Sequence, residues 1–91
     1  NVVQKILQAA IRDSDANVRA QAIYAVAKQN CADASLILEQ ALQDGELSVR
    51  LMAVDSLAAN ETSAGLLEQA LNDEEEAVRE LAALKLASLS R

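Results

Sequence analysis

The segment LLEQALNDEEEAVRELAALKLA (66–87) carries two apolar stripes separated by a polar break. Leu66, Leu67, Ala70 and Leu71 stand at i, i+1, i+4 and i+5, one face of a helix, with Glu68, Gln69 and Asn72 off that face. Polar residues then run from Asn72 to Glu76. Val78, Ala82 and Leu86 follow at i, i+4 and i+8, the stripe of a second helix. The segment therefore predicts helix, polar turn, helix.

The chain writes this pattern three times. LQAAIRDSDANVRAQAIYAVA (7–27) and LEQALQDGELSVRLMAVDSLA (38–58) align without a gap on LEQALNDEEEAVRELAALKLA (67–87). Identical columns are Leu7/Leu38/Leu67, Ala10/Ala41/Ala70, Asp13/Asp44/Asp73, Val18/Val49/Val78, Arg19/Arg50/Arg79, Ala22/Ala53/Ala82 and Ala27/Ala58/Ala87. Ile6/Ile37/Leu66, Ile11/Leu42/Leu71 and Val26/Leu57/Leu86 are conservative. The repeat spacing is 31 residues and then 29. The difference falls in the polar linkers KQNCADAS (28–35) and NETSAG (60–65), where length changes are tolerated. Asn30 and Asn60 suit helix C-terminal ends, and Asp33 with Thr62 or Ser63 suits the next N-caps. Of the glycines, Gly45 sits in a turn and Gly65 opens a helix. The helices are predicted over 2–12, 15–28, 34–43, 46–59, 63–72 and 75–89, in units of about 1–30, 31–60 and 61–91. A two-helix unit cannot bury its stripe alone, so stacked copies bury it between neighbours.

Composition agrees with an all-α chain. Of its 91 residues 52 % are hydrophobic, mostly Ala and Leu, with no Pro and Tyr24 as the one aromatic. Strands want more β-branched and aromatic residues than this.

The shared pattern L-x-x-A-L-x-D-x-x-x-x-V-R-x-x-A-x-x-x-L-A resembles HEAT repeats, and most of all the short HEAT-like type of phycobilisome lyases and many bacterial proteins. The resemblance covers nearly the whole chain, whereas the tetratricopeptide W-x-x-L-G and ankyrin T-P-L-H-x-A signatures are missing. It implies an all-α, right-handed α-solenoid of three stacked helix pairs, a single domain over 1–91, with the second helices lining the concave face. It implies binding far more firmly than any one partner. It also implies that Asp13, Asp44 and Asp73 form a structural ladder with Arg19, Arg50 and Arg79 between adjacent repeats. Because the chain opens on Asn1 and not Met, it is expected to be a piece of a longer protein.

The acidic run Asp73–Glu76 then has a plain reading. Acids at a helix start accept free backbone N–H groups and are favoured by the helix dipole. Asp15 and Glu46 supply the same sign in the other copies. Consecutive carboxylates fan out around a helix and do not converge on an ion, so no metal is expected.

Catalytic classes fall away in turn. With no His, Ser-His-Asp and Cys-His catalysis are excluded. Neither G-x-G-x-x-G nor a P-loop occurs, so no nucleotide cofactor is expected. Cys31 is the single cysteine, which rules out an intramolecular disulfide and fits a reducing compartment such as the cytoplasm. A net charge of −6 argues against nucleic acid. No apolar run is long enough to insert in a membrane, and no targeting segment is expected within these residues. The charge is uneven: the three units carry net +2, −4 and −4.

What remains is a non-catalytic protein-interaction or scaffold module. Its partner is another protein or the rest of its own chain. Off the buried stripe, the second-helix columns read Gln21/Met52/Leu81, Tyr24/Asp55/Leu84 and Ala20/Leu51/Glu80, whereas outward positions of the first helices are polar. The expected contact surface is this second-helix face, with Met52, Leu81 and Leu84 as anchors and Tyr24 and Asp55 as orienting groups. Leu81, Leu84, Leu86 and Leu89 cover more than one face of the last helix. They admit a continuing array, a homodimer or partner site at that end, or leucines tucked around the last repeat. Two alternatives stand beside the module. An accessory domain of a bilin lyase-like enzyme would give added bilin a protein-induced absorbance. A purely structural spacer would bind nothing once its neighbours were attached.

Overall fold

The computed structural model describes residues 2–29, 33–58 and 61–89, and over these the chain forms six helices and no strand. They are α1 (Val2–Ala10), α2 (Ala16–Gln29), α3 (Ala34–Ala41), α4 (Leu47–Ser56), α5 (Glu61–Ala70) and α6 (Glu76–Leu89). Helices α2, α4 and α6 pack side by side in one layer. Each first helix lies against the second helix of its own repeat, and α3 also touches α2. The result is a helical-repeat solenoid, a slab of 39 × 24 × 14 Å.

All three intra-repeat turns are built alike. The end of each first helix tightens to i→i−3 bonds. Arg12 and Asp13 donate to the carbonyls of Ala9 and Ala10, Gln43 and Asp44 to those of Gln40 and Ala41, and Asn72 and Asp73 to those of Gln69 and Ala70, at 3.0–3.2 Å. The apolar periodicity therefore overruns the α-helical ends by two residues, at 12, 43 and 72 against 10, 41 and 70.

Other boundaries differ for local reasons. Helix α4 stops at Ser56, not 59, because Leu57 turns extended (φ −72°, ψ 132°) while its side chain stays buried. Helix α5 begins at Glu61, not 63, so Ser63 lies inside the helix instead of capping it. Gly65 is likewise interior and does not open the helix. Asp33 precedes α3, but its side chain makes no capping bond; its carbonyl accepts Ile37 N–H at 2.9 Å. The expected end residues Asn30 and Asn60, the side chain of Thr62, and Cys31 lie outside the described residues.

The core lies between repeats. Val49, Val54, Leu67, Val78, Ala53 and Ala82 are each 0–1 % exposed. They come from α4, α5 and α6, and most belong to the identical columns. Among the described residues no helix is long and apolar enough to cross a membrane.

Candidate functional site

Each arginine of the repeated Asp-x5-Arg pattern sits in the first turn of a second helix, where its guanidinium reaches back over the turn before it. Arg19 Nη1 donates to the Asp13 carbonyl at 2.7 Å, Arg50 Nη1 to the Asp44 carbonyl at 2.8 Å, and Arg79 Nη1 to the Asp73 carbonyl at 2.7 Å. The other side of the fork points to the next repeat. Arg19 holds Asp44 through Nε–H to Oδ2 at 2.9 Å and Nη2–H to Oδ1 at 3.1 Å. Arg50 Nε donates to Asp73 Oδ2 at 2.9 Å. Each aspartate also closes its own turn, with Oδ1 accepting the N–H two residues on: Asp15 at 2.8 Å, Glu46 at 2.9 Å and Glu75 at 2.9 Å. The capping position itself belongs to Asp15 in α2, whose Oδ1 takes Asn17 N–H at 2.8 Å.

Burial grades the two rungs. The Arg19–Asp44 side chains are 17 % exposed and those of Arg50–Asp73 are 9 %. Burial pushes the Asp44 carboxyl up, but the hydrogen bonds from Arg19 and the Glu46 N–H, with the charges of Arg19 and Arg50, outweigh it and hold Asp44 below its ordinary 3.8. The Asp44 hydrogen bond likewise raises Arg19 against a smaller effect of burial. A concavity at the turns between repeats two and three is lined by Asp44, Gly45, Arg50, Asn72, Asp73 and Glu74, so it borders the second rung. Charged groups in the rungs are spent on one another: the arrangement sets register and offers neither a free acid nor a free base. Among the described residues no three of His, Cys, Asp and Glu converge.

The second-helix face divides into two columns. Tyr24, Asp55 and Leu84 are exposed on α2, α4 and α6, Tyr24 at 47 % and Leu84 at 69 %. Lys28, one turn on, places Nζ 5.7 Å from the Tyr24 ring centroid. Met52 and Leu81 are half-buried and pack against the core, while Gln21 in their column is exposed. The structure thus aligns Tyr24, Asp55 and Leu84 as an outward row and sinks Met52 and Leu81 behind it. The first helices are less polar outside than their columns imply. Ile6 is 62 % exposed and Leu36 55 %.

Lys85 is a contact that the repeat alignment does not announce. Its Nζ donates to the Asp55 and Leu57 carbonyls at 2.5 and 2.6 Å, holding the C-terminal end of α4. Burial pulls its pKa below the usual lysine value, against the charge of Asp55. The one signal was its column, Ala25/Ser56/Lys85, where a lysine stands among small residues. Ser56 Oγ in the same column is buried without a hydrogen-bond partner.

Compared with known proteins, residues 3–87 match a family model described as HEAT repeats. No curated protein matches the chain.

Proposed function

The chain belongs to the HEAT-repeat family, whose members generally mediate protein–protein interaction or scaffolding, and we propose that this one takes a partner protein on the outward row of α2, α4 and α6. One observation carries the reading: the column Tyr24/Asp55/Leu84 is exposed in all three copies, with two large apolar groups flanking a carboxylate. Leu84, at 69 %, is the most exposed large apolar residue among those described. The half-buried Met52 and Leu81 floor the row and add apolar area without needing to move. The chemistry fits a partner segment that sets apolar side chains on either side of a lysine or arginine, and the net charge of −6 favours its approach. No catalytic step is assigned to the module.

The test is affinity capture from the source cell with this chain as bait, beside a Tyr24→Ala, Leu84→Glu double variant. Both positions are exposed, so the variant keeps its fold, checked by circular dichroism. A partner captured by the wild type and lost with the folded variant supports the reading. Identical capture by both baits removes it and leaves a spacer.

A further inference from the structure

The concavity at the turns between repeats two and three lies inside the stack and has a volume of about 520 Å³. The cavity that Arg19 lines one repeat earlier measures about 80 Å³. Two features set the larger one apart. Arg19 gives Asp44 both Nε–H and Nη2–H, whereas Arg50 gives Asp73 Nε–H alone. The Arg50 side chain is 9 % exposed, yet among the described residues its Nη2 has no acceptor. Nor is that nitrogen sealed from solvent: among the described residues the buried polar side-chain atom without a partner is Ser56 Oγ. Since Arg50 lines the concavity, the free N–H of a guanidinium more than nine-tenths buried opens into it. The second feature is Gly45, on the wall, where the other copies carry Ser14 and Glu74. Its φ lies outside the left-handed region and an added Cβ would meet nothing within 4 Å. Neither backbone nor packing demands this glycine; what it leaves is room.

The chemistry of the walls narrows the occupant. Gln43, Gln69 and Asn72 bring three exposed side-chain amides to the same space, and none is bonded among the described residues. Each amide has an acceptor oxygen and two N–H donors, a match for the C=O and N–H of a peptide group. Arg50 Nη2 adds a donor for a carbonyl oxygen at the floor. Arg19 is paired with Asp44 and Arg50 with Asp73, so Glu74 is left as the unpaired charge of the lining. A phosphate or carboxylate would have to reach Arg50 past three carboxylates, and small organic ligands want mostly apolar walls.

We propose that this concavity is a second docking site, made of other residues than the outward row, for an extended segment of a partner polypeptide that carries a basic side chain. A main-chain carbonyl of the segment accepts from Arg50 Nη2. The amides of Gln43, Gln69 and Asn72 take its neighbouring main-chain groups, and its lysine or arginine lies on Glu74.

The probe is an acetylated and amidated alanyl-arginyl-alanine tripeptide, titrated into isotope-labelled chain and followed by NMR. The side-chain NH₂ signals of Gln43, Gln69 and Asn72 and the Gly45 N–H are expected to shift together. The Kd should be on the order of 1 mM, the scale of a few hydrogen bonds at an open surface. The glutamyl analogue should bind about tenfold more weakly or worse. Gly45→Gln puts a side chain into the room, at a column position where Glu74 already shows that the turn accepts one, and should weaken binding about tenfold or more. Asn72→Ala and Gln69→Ala remove exposed groups with no bond in the fold and should each cost about twofold to tenfold. Tyr24→Ala, Leu84→Glu should bind the tripeptide as the wild type does, so the outward row and this site can fail separately. Absence of shifts at Gln43, Gln69, Asn72 and Gly45 overturns the proposal. Equal affinity for the glutamyl analogue, or undiminished binding by folded Gly45→Gln, overturns it as well.

Discussion

Among the described residues Arg50 is the buried charged one, 7 % exposed, and removing it tests what the ladder contributes. Arg50→Ala deletes the bond to Asp73 Oδ2 and the bond to the Asp44 carbonyl together. The Asp73 carboxylate is left with the Glu75 N–H alone. Breaking a fully buried pair from one side costs about 3–5 kcal/mol, and an exposed pair about 0–1 kcal/mol. At 9 % exposure this rung lies near the buried limit, but the turn concavity beside it lets water reach the abandoned carboxylate. The expected loss is therefore about 2–4 kcal/mol, some of it from the packed alkyl stem. Arg79→Ala loses a carbonyl bond and no carboxylate, so about 0.5–1.5 kcal/mol is expected. Arg19→Ala falls between them, since its rung is more exposed. Urea unfolding followed by far-UV circular dichroism gives all three, with an unchanged m-value as the check that the folded state is comparable. An Arg50→Ala loss within about 0.5 kcal/mol of the Arg79→Ala loss would refute the reasoning, because the inter-repeat carboxylate would then contribute nothing.

Three further outcomes follow from the same geometry. Leu67, fully buried, should cost about 2–5 kcal/mol as Leu67→Ala, and Leu7→Ala in the same column about half of that or less; equal losses in urea unfolding would contradict the burial difference. Gly65 lies inside α5 with no atom within 4 Å of an added Cβ, so Gly65→Ala should stabilise by about 0.5–1 kcal/mol, read as a raised Tm. Asp44 is held below 3.8 in the folded chain, so its contribution is complete above that value and is lost as pH falls through the lower folded pKa. Acid thermal melts should show Asp44→Asn less stable than wild type at neutral pH, with the gap closing below about pH 4.

How far the sequence reached can be judged at particular residues. Helix type and count were legible because stripes such as Leu66, Leu67 and Ala70 repeat at helical spacing in every copy. Ends were not, for two physical reasons. Ile11, Leu42 and Leu71 stay in phase through a 3₁₀-like turn, and Leu57 remains buried after α4 has become extended. Apolar phase reports burial, and burial outlasts the helix. Identity down a column did not carry equal burial: Val18 is 38 % exposed, whereas its copies Val49 and Val78 are at 1 % and 0 %. At the candidate surface, sequence columns found the second-helix face but could not separate the outward Tyr24, Asp55 and Leu84 from Met52 and Leu81, which differ by a rotation about the helix. For the rungs, the six-residue Asp-to-Arg interval was visible, and the direction of pairing was not. Arg19 reaches Asp44 across 25 residues and Arg50 reaches Asp73 across 23, yet both contacts close at 2.9 Å. A linker two residues shorter has therefore been absorbed without moving the charged pair. The spacing of the stack follows from the rungs and the apolar columns between them, and the linker accommodates whatever length remains.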